Sequence, residues 1–453
     1  VIPDISKAVR DLSASFSGRL LLPGDAGYED ARRVHNGLVD KRPAVIAQCR
    51  GTADISDAVA VARTHGLRIS IRGGGHNVAG RAVVDAGMMI DLSLMRSIVV
   101  DRASRTARVE GGATWKEVNR ETQQFGLATT GGVVGTTGVA GLTLGGGFGW
   151  LMARHGMSLD NLQSMDLVLA DRTVVRASAA DHADLFWAVR GGGGNFGVVS
   201  SFEFTLHEIG PTISGGLVAW PMAAARDVLR FFRDFTASIG DDVFTVCALL
   251  TGPDGATKLA AIAAAYLGPA AGAEAVLGPV KRFGSPVMDA MGPISYVALN
   301  GLLDGAFPKG ALNYWKAPFL DRLDDPAIDA AVTAMAACPS PMSQILFEHF
   351  HGAATRVPVE ATAYALRSPG FNVNILGEWL GAGQTDANIA WVRDTYAALQ
   401  SFASGRRYAN YIGADDMTSE GLAAVYGPNL SRLREVKRKY DPKNVFRENL
   451  NIT

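Results

Sequence analysis

Ile71-Arg72-Gly73-Gly74-Gly75-His76-Asn77-Val78-Ala79-Gly80 decides how the first half of this chain folds. It follows directly on Arg68 to Arg72, which reads as a strand. Three consecutive glycines let a backbone approach a ligand closely and take positive φ, which side chains resist. A histidine sits at the tip of that approach. A loop that only cradled a phosphate would need no imidazole there. A loop that holds a diphosphate and also offers a ring nitrogen to the ligand's ring system would. Upstream, Ala44 to Ala47 reads as a strand. Between the two strands, Ile55, Ala58, Val59 and Ala62 fall on one face of a helix that Thr52 or Asp54 can cap and Gly66 ends. The opening is therefore β-α-β, and it delivers His76.

Downstream, Met89 to Met95, Ser97 to Val100 and Thr106 to Glu110 read as strands, and Trp115 to Phe125 as a helix. A second glycine-rich stretch, Gly131 to Gly149, holds nine glycines. Val, Leu, Thr and Phe are interleaved and serine is absent, which suits a buried loop against a flat or charged ligand better than a flexible linker. A third cluster, Gly191-Gly192-Gly193-Gly194-Asn195-Phe196-Gly197, follows the helix Asp184 to Arg190. Its Gly192, Gly194 and Gly197 match GxGxxG, but a Rossmann site needs a strand before it and a helix after it. Here a helix precedes and the strand-like Val198 to Phe204 follows, so the nicotinamide-dinucleotide reading is rejected.

From about Ile213 the texture changes. Strand candidates Phe244 to Leu250, Leu259 to Tyr266, Gln344 to His351 and Phe371 to Trp379 alternate with helices Ala223 to Ser238, Ala271 to Phe283, Pro326 to Ala337 and Asp386 to Phe402. This pattern suggests an antiparallel sheet covered on one face. Near the end, Gly421 to Lys439 reads as one helix and Tyr440 to Phe446 as a turn.

The 453 residues suffice for two packed domains. A hydrophobic content of 48%, 19% charged residues and a net charge of −1 give no reason to expect nucleic acid or an anionic membrane as partner. No apolar run approaches the roughly 18–20 residues that span a bilayer. Cys49, Cys247 and Cys338 are scattered and form neither a disulfide framework nor zinc-ligand spacing, so no metal is expected. The opening Val1-Ile2-Pro3-Asp4-Ile5-Ser6 has no basic region followed by an apolar run. With the unpaired thiols, this favours a cytoplasmic setting, a removed leader being the open alternative. No feature assigns an oligomeric state.

Four segments now agree: the His76 loop, Gly131 to Gly149, Trp187 to Gly197 with the strand after it, and Tyr411 to Ile452. The last contains Tyr426-Gly427-Pro428-Asn429, Arg432-Leu433-Arg434, Lys437-Arg438-Lys439-Tyr440-Asp441-Pro442 and Asn444-Val445-Phe446. Together they resemble the berberine-bridge-enzyme-like branch of the vanillyl-alcohol-oxidase/PCMH flavoprotein superfamily, in particular its bacterial members. The resemblance implies an α+β fold. A PCMH-type two-part FAD-binding domain would span 1–206 and a substrate domain with an antiparallel sheet covered by helices 207–411. A C-terminal segment, 412–453, would return to the FAD-binding domain.

The resemblance also implies FAD bonded covalently to His76. It places the cofactor on Arg72, Gly73, Gly74, Gly75, His76, Asn77 and Gly80, and on Gly132, Val133, Thr136, Thr137, Gly138, Gly141, Gly145, Gly146 and Gly149. Asn161, Gly197, Val198, Val199, Tyr411 and Asn449 complete that set. Many relatives carry a second, cysteinyl bond to the flavin, but here Val134 stands at the cysteine's position, so a single bond through His76 is expected. Family position makes Thr137 the guard of oxygen access, and its modest size favours an oxidase.

The function implied is FAD-dependent oxidation of a small alcohol or amine, natural-product or alkaloid-like, with molecular oxygen reduced to hydrogen peroxide. A dehydrogenase of the same fold using another acceptor, a carbohydrate oxidase, and a flavin-free binding protein are the alternatives. The family's Tyr-x-Asn-Tyr segment is Tyr408-Ala409-Asn410-Tyr411, which makes Tyr408 the preferred proton acceptor if its pKa is lowered. Alternation puts Asn372 and Asn374 on one strand face. It puts His349 and His351 on one face of their strand and Glu348 on the other. Tyr408, Asn374 and His349 are expected to face the flavin.

Overall fold

The computed structural model describes residues 4–453; the first three residues of the opening examined for a leader lie outside the described residues. Val45–Gln48, Met88–Asp91 and Ile69–Arg72 lie parallel, with Arg19–Leu21 added antiparallel at the edge. A parallel sheet covered on both faces needs apolar side chains on both. Accordingly Val45, Ile46, Ala47, Met88, Met89 and Ile90 are all buried. Helix Thr52–Thr64 lays Ile55, Ala58, Val59 and Ala62 on this sheet. Its cap is Gly51, not the side chain of Thr52 or Asp54. Asp54 instead accepts the amides of Ser17 and Arg50, both at 2.8 Å, and ties the N-terminal segment to the helix start.

A second, antiparallel sheet orders Ile98–Asp101, Thr106–Glu110, Val198–Thr205, Leu162–Val168 and Val174–Ser178. Helix Trp115–Thr122 starts in a capping box, where Glu117 accepts the Thr114 amide at 2.9 Å. The third glycine cluster lies between helix Ala183–Gly192 and strand Val198–Thr205, in the order that excludes a Rossmann turn.

The third sheet has nine strands, all paired antiparallel, from Thr212–Pro221 to Gly370–Trp379. Alternation sorts its two faces. Cys247, Leu249, Ile345, Phe347, Phe371, Val373 and Ile375 meet helices Ala225–Thr236, Asp325–Ala336 and Thr385–Leu399. The helix residues Val228, Leu229 and Phe232 recur at helical spacing, and each such buried side chain contributes about 1.5–3 kcal/mol. The other face, with Val246 and Phe350, packs on Leu144 and Phe148 of the second glycine stretch.

Two further sequence expectations change. Gly131 to Gly149 is not loop throughout: Val139–Leu144 is helical, because its branched and aliphatic residues find a core to bury against. Gly421 to Lys439 is not one helix but two, Ser419–Tyr426 and Leu430–Tyr440. Gly427 at φ +46° and Pro428, which has no amide hydrogen, break it. The second of these helices is pinned by Lys437, whose buried ammonium donates to Asn195 O at 2.7 Å and Phe446 O at 2.9 Å and pairs with Asp441 at 2.7 Å. The chain end is thereby clamped to the third glycine cluster.

Candidate active site

One cavity runs between the two halves of the molecule. Its first wall is made of backbone. The His76 loop and the second glycine stretch touch so closely that a Cβ at Gly74 would sit 2.4 Å from the Gly138 nitrogen. Gly191, at φ +117°, crosses Tyr364 with its Cβ position 2.3 Å from the Tyr364 nitrogen. The amides of Gly74 to Asn77 donate to no acceptor among the described residues. Asn77 Oδ1 and Arg81 Nε, on the same wall, are buried without partners. Free loop amides beside an unpartnered guanidinium nitrogen form a binding surface for an anion such as a diphosphate.

His76 lies at the end of this wall. Its Nε2 is 3.0 Å from Thr136 Oγ1, and its ring stacks on His35 with centroids 3.8 Å apart and planes 20° apart. Burial, reinforced by His35, pulls its pKa down to about 3, so the imidazole is neutral. Nδ1 makes no hydrogen bond to the described residues.

The opposite wall is the nine-stranded sheet. Gln344–Phe350 and Gly370–Trp379 pair with Leu346 opposite Asn374 and Glu348 opposite Asn372. Leu346, Glu348, Asn374 and Leu376 line the cavity, joined by Leu303, Phe307 and Trp315. Glu348 accepts from Tyr411 OH at 3.0 Å and from Asn372 Nδ2 at 2.6 Å. Burial raises its pKa to about 7, the two hydrogen bonds opposing. Burial, with Glu348 beside it, also holds the Tyr411 phenol well above its ordinary range. Asn374 Oδ1 is a buried acceptor with no partner.

Tyr408 is in the cavity but is not poised as a base. Its hydroxyl oxygen accepts from the Gly147 amide at 3.0 Å and from Asn410 Nδ2 at 2.8 Å, and its ring stacks on Phe148 at 4.2 Å. Burial pushes its pKa up to about 12, against the lowering that a tyrosinate would need. His349 requires a larger correction. It shares parity with Ile345 and Phe347 and so lies on the helix side of the sheet, stacked on His351 at 4.1 Å and against Phe371. It does not face the cavity.

Of the expected cofactor contacts, Gly73, Gly74, Gly75, His76, Asn77, Gly132, Val133, Thr137, Gly138, Gly141, Gly145, Gly197, Val199, Tyr411 and Asn449 line the cavity. The others do not line it. Arg72 donates to Ala31 O and faces Asp91. Gly80 packs on Val39, Gly146 on the rings of Tyr408 and Tyr364, and Gly149 on the Gly131 carbonyl. Thr136 is exposed and its hydroxyl meets the cavity-lining His76. Asn161 donates to His155 O and Met157 O and meets His207, holding a turn. Val198 belongs to the core beneath the parallel sheet.

Residues 43–178 match the family described as "FAD binding domain", and residues 407–453 the one described as "Berberine and berberine like". The chain is 32% identical to (R)-6-hydroxynicotine oxidase of Paenarthrobacter nicotinovorans, over 97% of each protein. The chain belongs to the berberine-bridge-enzyme-like FAD-linked oxidoreductases. The crystal structure of 6-hydroxy-D-nicotine oxidase from Arthrobacter nicotinovorans superimposes with a TM-score of 0.89 at 30% identity, covering 97% of this chain and 98% of that one. A glucooligosaccharide oxidase from Acremonium strictum, whose FAD is 6-S-cysteinyl and 8α-N1-histidyl, matches at 0.87 and 26% identity over 98% of each chain.

The fold of this family is therefore present, and with it an FAD-binding domain whose glycine wall suits a diphosphate. Among the described residues no three metal-ligating side chains cluster, and no helix is long and apolar enough to cross a membrane. Glu348, Arg81 and the apolar wall were not singled out from the sequence alone. Alternation puts Glu348 on one face with Leu346 and Phe350 and opposite Ile345 and Phe347; bulky residues on both faces leave the tertiary structure to decide which one the helices cover.

Proposed function

We propose that the protein is an oxidase of a small amine or alcohol with an apolar body, in which Glu348 and Tyr411 take up the substrate's proton. The carrying observation is Glu348, a buried carboxyl with a pKa near 7 that lines the cavity beside Tyr411 and Asn374. A base tuned to the working pH is what proton abstraction needs. Asn374 Oδ1 orients the substrate's polar end as an acceptor for a further N–H, while the N–H or O–H that is lost points to Tyr411 and Glu348. As that proton leaves, Tyr411 passes its own to Glu348, or Glu348 takes it directly. Leu303, Phe307, Trp315, Leu346 and Leu376 exclude water and hold the apolar body.

FAD, when bound, supplies the hydride acceptor. The glycine wall and Arg81 would hold its diphosphate, and His76 would bond it. Thr136 occupies Nε2, so Nδ1 is the nitrogen left for that bond. A second bond is not supported. Val134 lines the cavity at the cysteine's place, while Cys49 and Cys247 lie in the interior cores and Cys338 packs beside the helices. Thr137 lines the cavity, and its modest size supports oxygen as the final acceptor. The relative named for 6-hydroxynicotine supports an alkaloid-like substrate. The apolar wall argues against a polyhydroxylated sugar, which would leave hydroxyls unpaired.

Acid-precipitated protein should keep its flavin on the polypeptide, at a peptide containing His76 and no cysteine. Purified enzyme should release hydrogen peroxide with amines or alcohols of this class. A colourless pellet overturns the covalent reading. Turnover with a dye but not with oxygen overturns the oxidase reading.

A further inference from the structure

The His76 loop is held from behind by residues with no part in the chemistry so far. The His35 amide donates to Gly75 O at 2.9 Å, one residue before His76. Asn36 Nδ2 donates to Val78 O at 2.8 Å, two residues after it, and to Asn313 O at 2.8 Å on the substrate-side sheet. The Gly310 amide closes the clamp on His35 O at 2.9 Å. The dipeptide His35-Asn36 thus grips the loop on both sides of His76 and ties it to the second half of the molecule.

The His35 side chain adds a different constraint. Its ring lies flat against His76 at 3.8 Å and 20°. It is only 5% exposed, and its Nε2 has no partner. A buried imidazole kept at the cost of an unsatisfied nitrogen needs a reason. The backbone clamp fixes where His76 stands but not the rotation of its ring. The hydrogen bond between Nε2 and Thr136 Oγ1 fixes one edge of the ring and still lets it swing about that edge. A flat ring stacked on its face removes the swing. Both imidazoles are pulled towards neutrality by burial, which leaves the stack free of charge repulsion.

We propose that His35 is a positioning residue for the cofactor-bonding histidine: its stacked ring sets the plane in which His76 presents Nδ1. This rests on the reading of His76 as the covalent attachment point. In that attachment one C–H bond of the flavin 8α-methyl and one imidazole N–H break and one C–N bond forms. The two protons and two electrons released pass to molecular oxygen, giving hydrogen peroxide. Bond formation of this kind depends steeply on alignment, and misplacement by about 1 Å can cost roughly 100-fold.

The test compares His35→Phe, which keeps a flat ring, with His35→Leu, which fills similar space without one. His35→Met serves if the leucine variant fails to fold. Each protein, purified with its flavin after short induction, is measured for total FAD by absorbance and for covalent FAD by fluorescence of acid-denatured bands. Thermal melting monitors the fold. The covalent share should be unchanged in His35→Phe and fall at least about twofold in His35→Leu or His35→Met, with total FAD and melting close to wild type. An unchanged share without the ring overturns the proposal. So does a phenylalanine variant as poor as leucine, because the imidazole nitrogen rather than the stacked plane would then be the working part. A wild-type protein with no covalent flavin refutes the attachment reading itself, which separates the two failures.

Discussion

Glu348 and His349 are neighbours on one strand, with exposures of 4% and 8%. Burial acts on them in the same way, by disfavouring charge. It raises the carboxyl to about 7 and lowers the imidazole to about 3, so both are held towards their neutral forms. What separates them is the face. Glu348 meets Tyr411, Asn372 and the cavity, whereas His349 meets Phe371 and His351 under the helices. A titratable group becomes functional when a shifted pKa coincides with access to a ligand. The shift alone does not mark a site.

The sharpest way to break this comparison is paired substitution. Glu348→Gln should slow anaerobic flavin reduction by roughly 10²–10⁴, the usual loss for a positioned base. His349→Gln, one residue away, should stay within about threefold by the same stopped-flow assay. Comparable losses in both would mean that Glu348 is as structural as His349.

Tyr411→Phe should cost less, about 10–100-fold in reduction, since Glu348 remains to take the proton directly. The pH profile sharpens the assignment. An acid raised to about 7 is increasingly carboxylate above that pH, so the wild-type reduction rate should climb through pH 7. Glu348→Gln should lack that inflection, and a climb retained in the variant would assign it elsewhere.

Glu378 tests what burial does to a carboxyl with no ligand to serve. It lies on the cavity-side parity of its strand but lines no part of the cavity. It is fully buried, neither oxygen has a partner, and burial raises it to about 8. A carboxyl raised on folding contributes stability below its unfolded pKa and loses it as pH rises through the folded value. The loss therefore runs from about pH 4.5 to pH 8. Glu378→Gln should raise the Tm by about 3 °C at pH 8 and change it little at pH 4.5. His349 has the opposite sign. Its stability is present above pH 6.5 and is lost as pH falls towards 3. His349→Phe should melt later than wild type at pH 4.5 and nearly equally at pH 8, by calorimetry.

The smallest effect is expected at Tyr408. Its hydroxyl serves the Gly147 amide and Asn410 rather than a substrate. Tyr408→Phe should cost about 1 kcal/mol of stability and leave flavin reduction within a few-fold. A loss like that of Glu348→Gln would restore Tyr408 as the base.

Much of this was legible in the chain. Short-range signals carried the β-α-β opening, the reversed order around Gly191 to Gly197, and the alternation of Asn372 and Asn374. Each depends only on residues close in sequence. The break at Gly427-Pro428 is also local, set by a positive φ and a missing amide hydrogen. Three decisions were not local. Which parity of Gln344–Phe350 meets the helices depends on what packs there, and a slip of one residue exchanges the faces. Whether Tyr408 is a base depends on a glycine amide 261 residues away in sequence, and on Asn410 beside it. That His35 lies on His76 depends on the segment before strand Val45–Gln48 reaching the loop after Ile69–Arg72.

By itself, the sequence determined the kind of wall this protein builds around its cofactor, because glycine acts through its own backbone freedom wherever it stands. It also determined which histidine the first loop presents and that no cysteine stands opposite. Only the tertiary structure decided which buried titratable group faces the cavity. A pKa is set by the water, charges and hydrogen bonds around a group. Those surroundings at Glu348 come from a neighbouring strand and from the C-terminal return of the chain, brought together only when the two halves of the molecule close on one cavity.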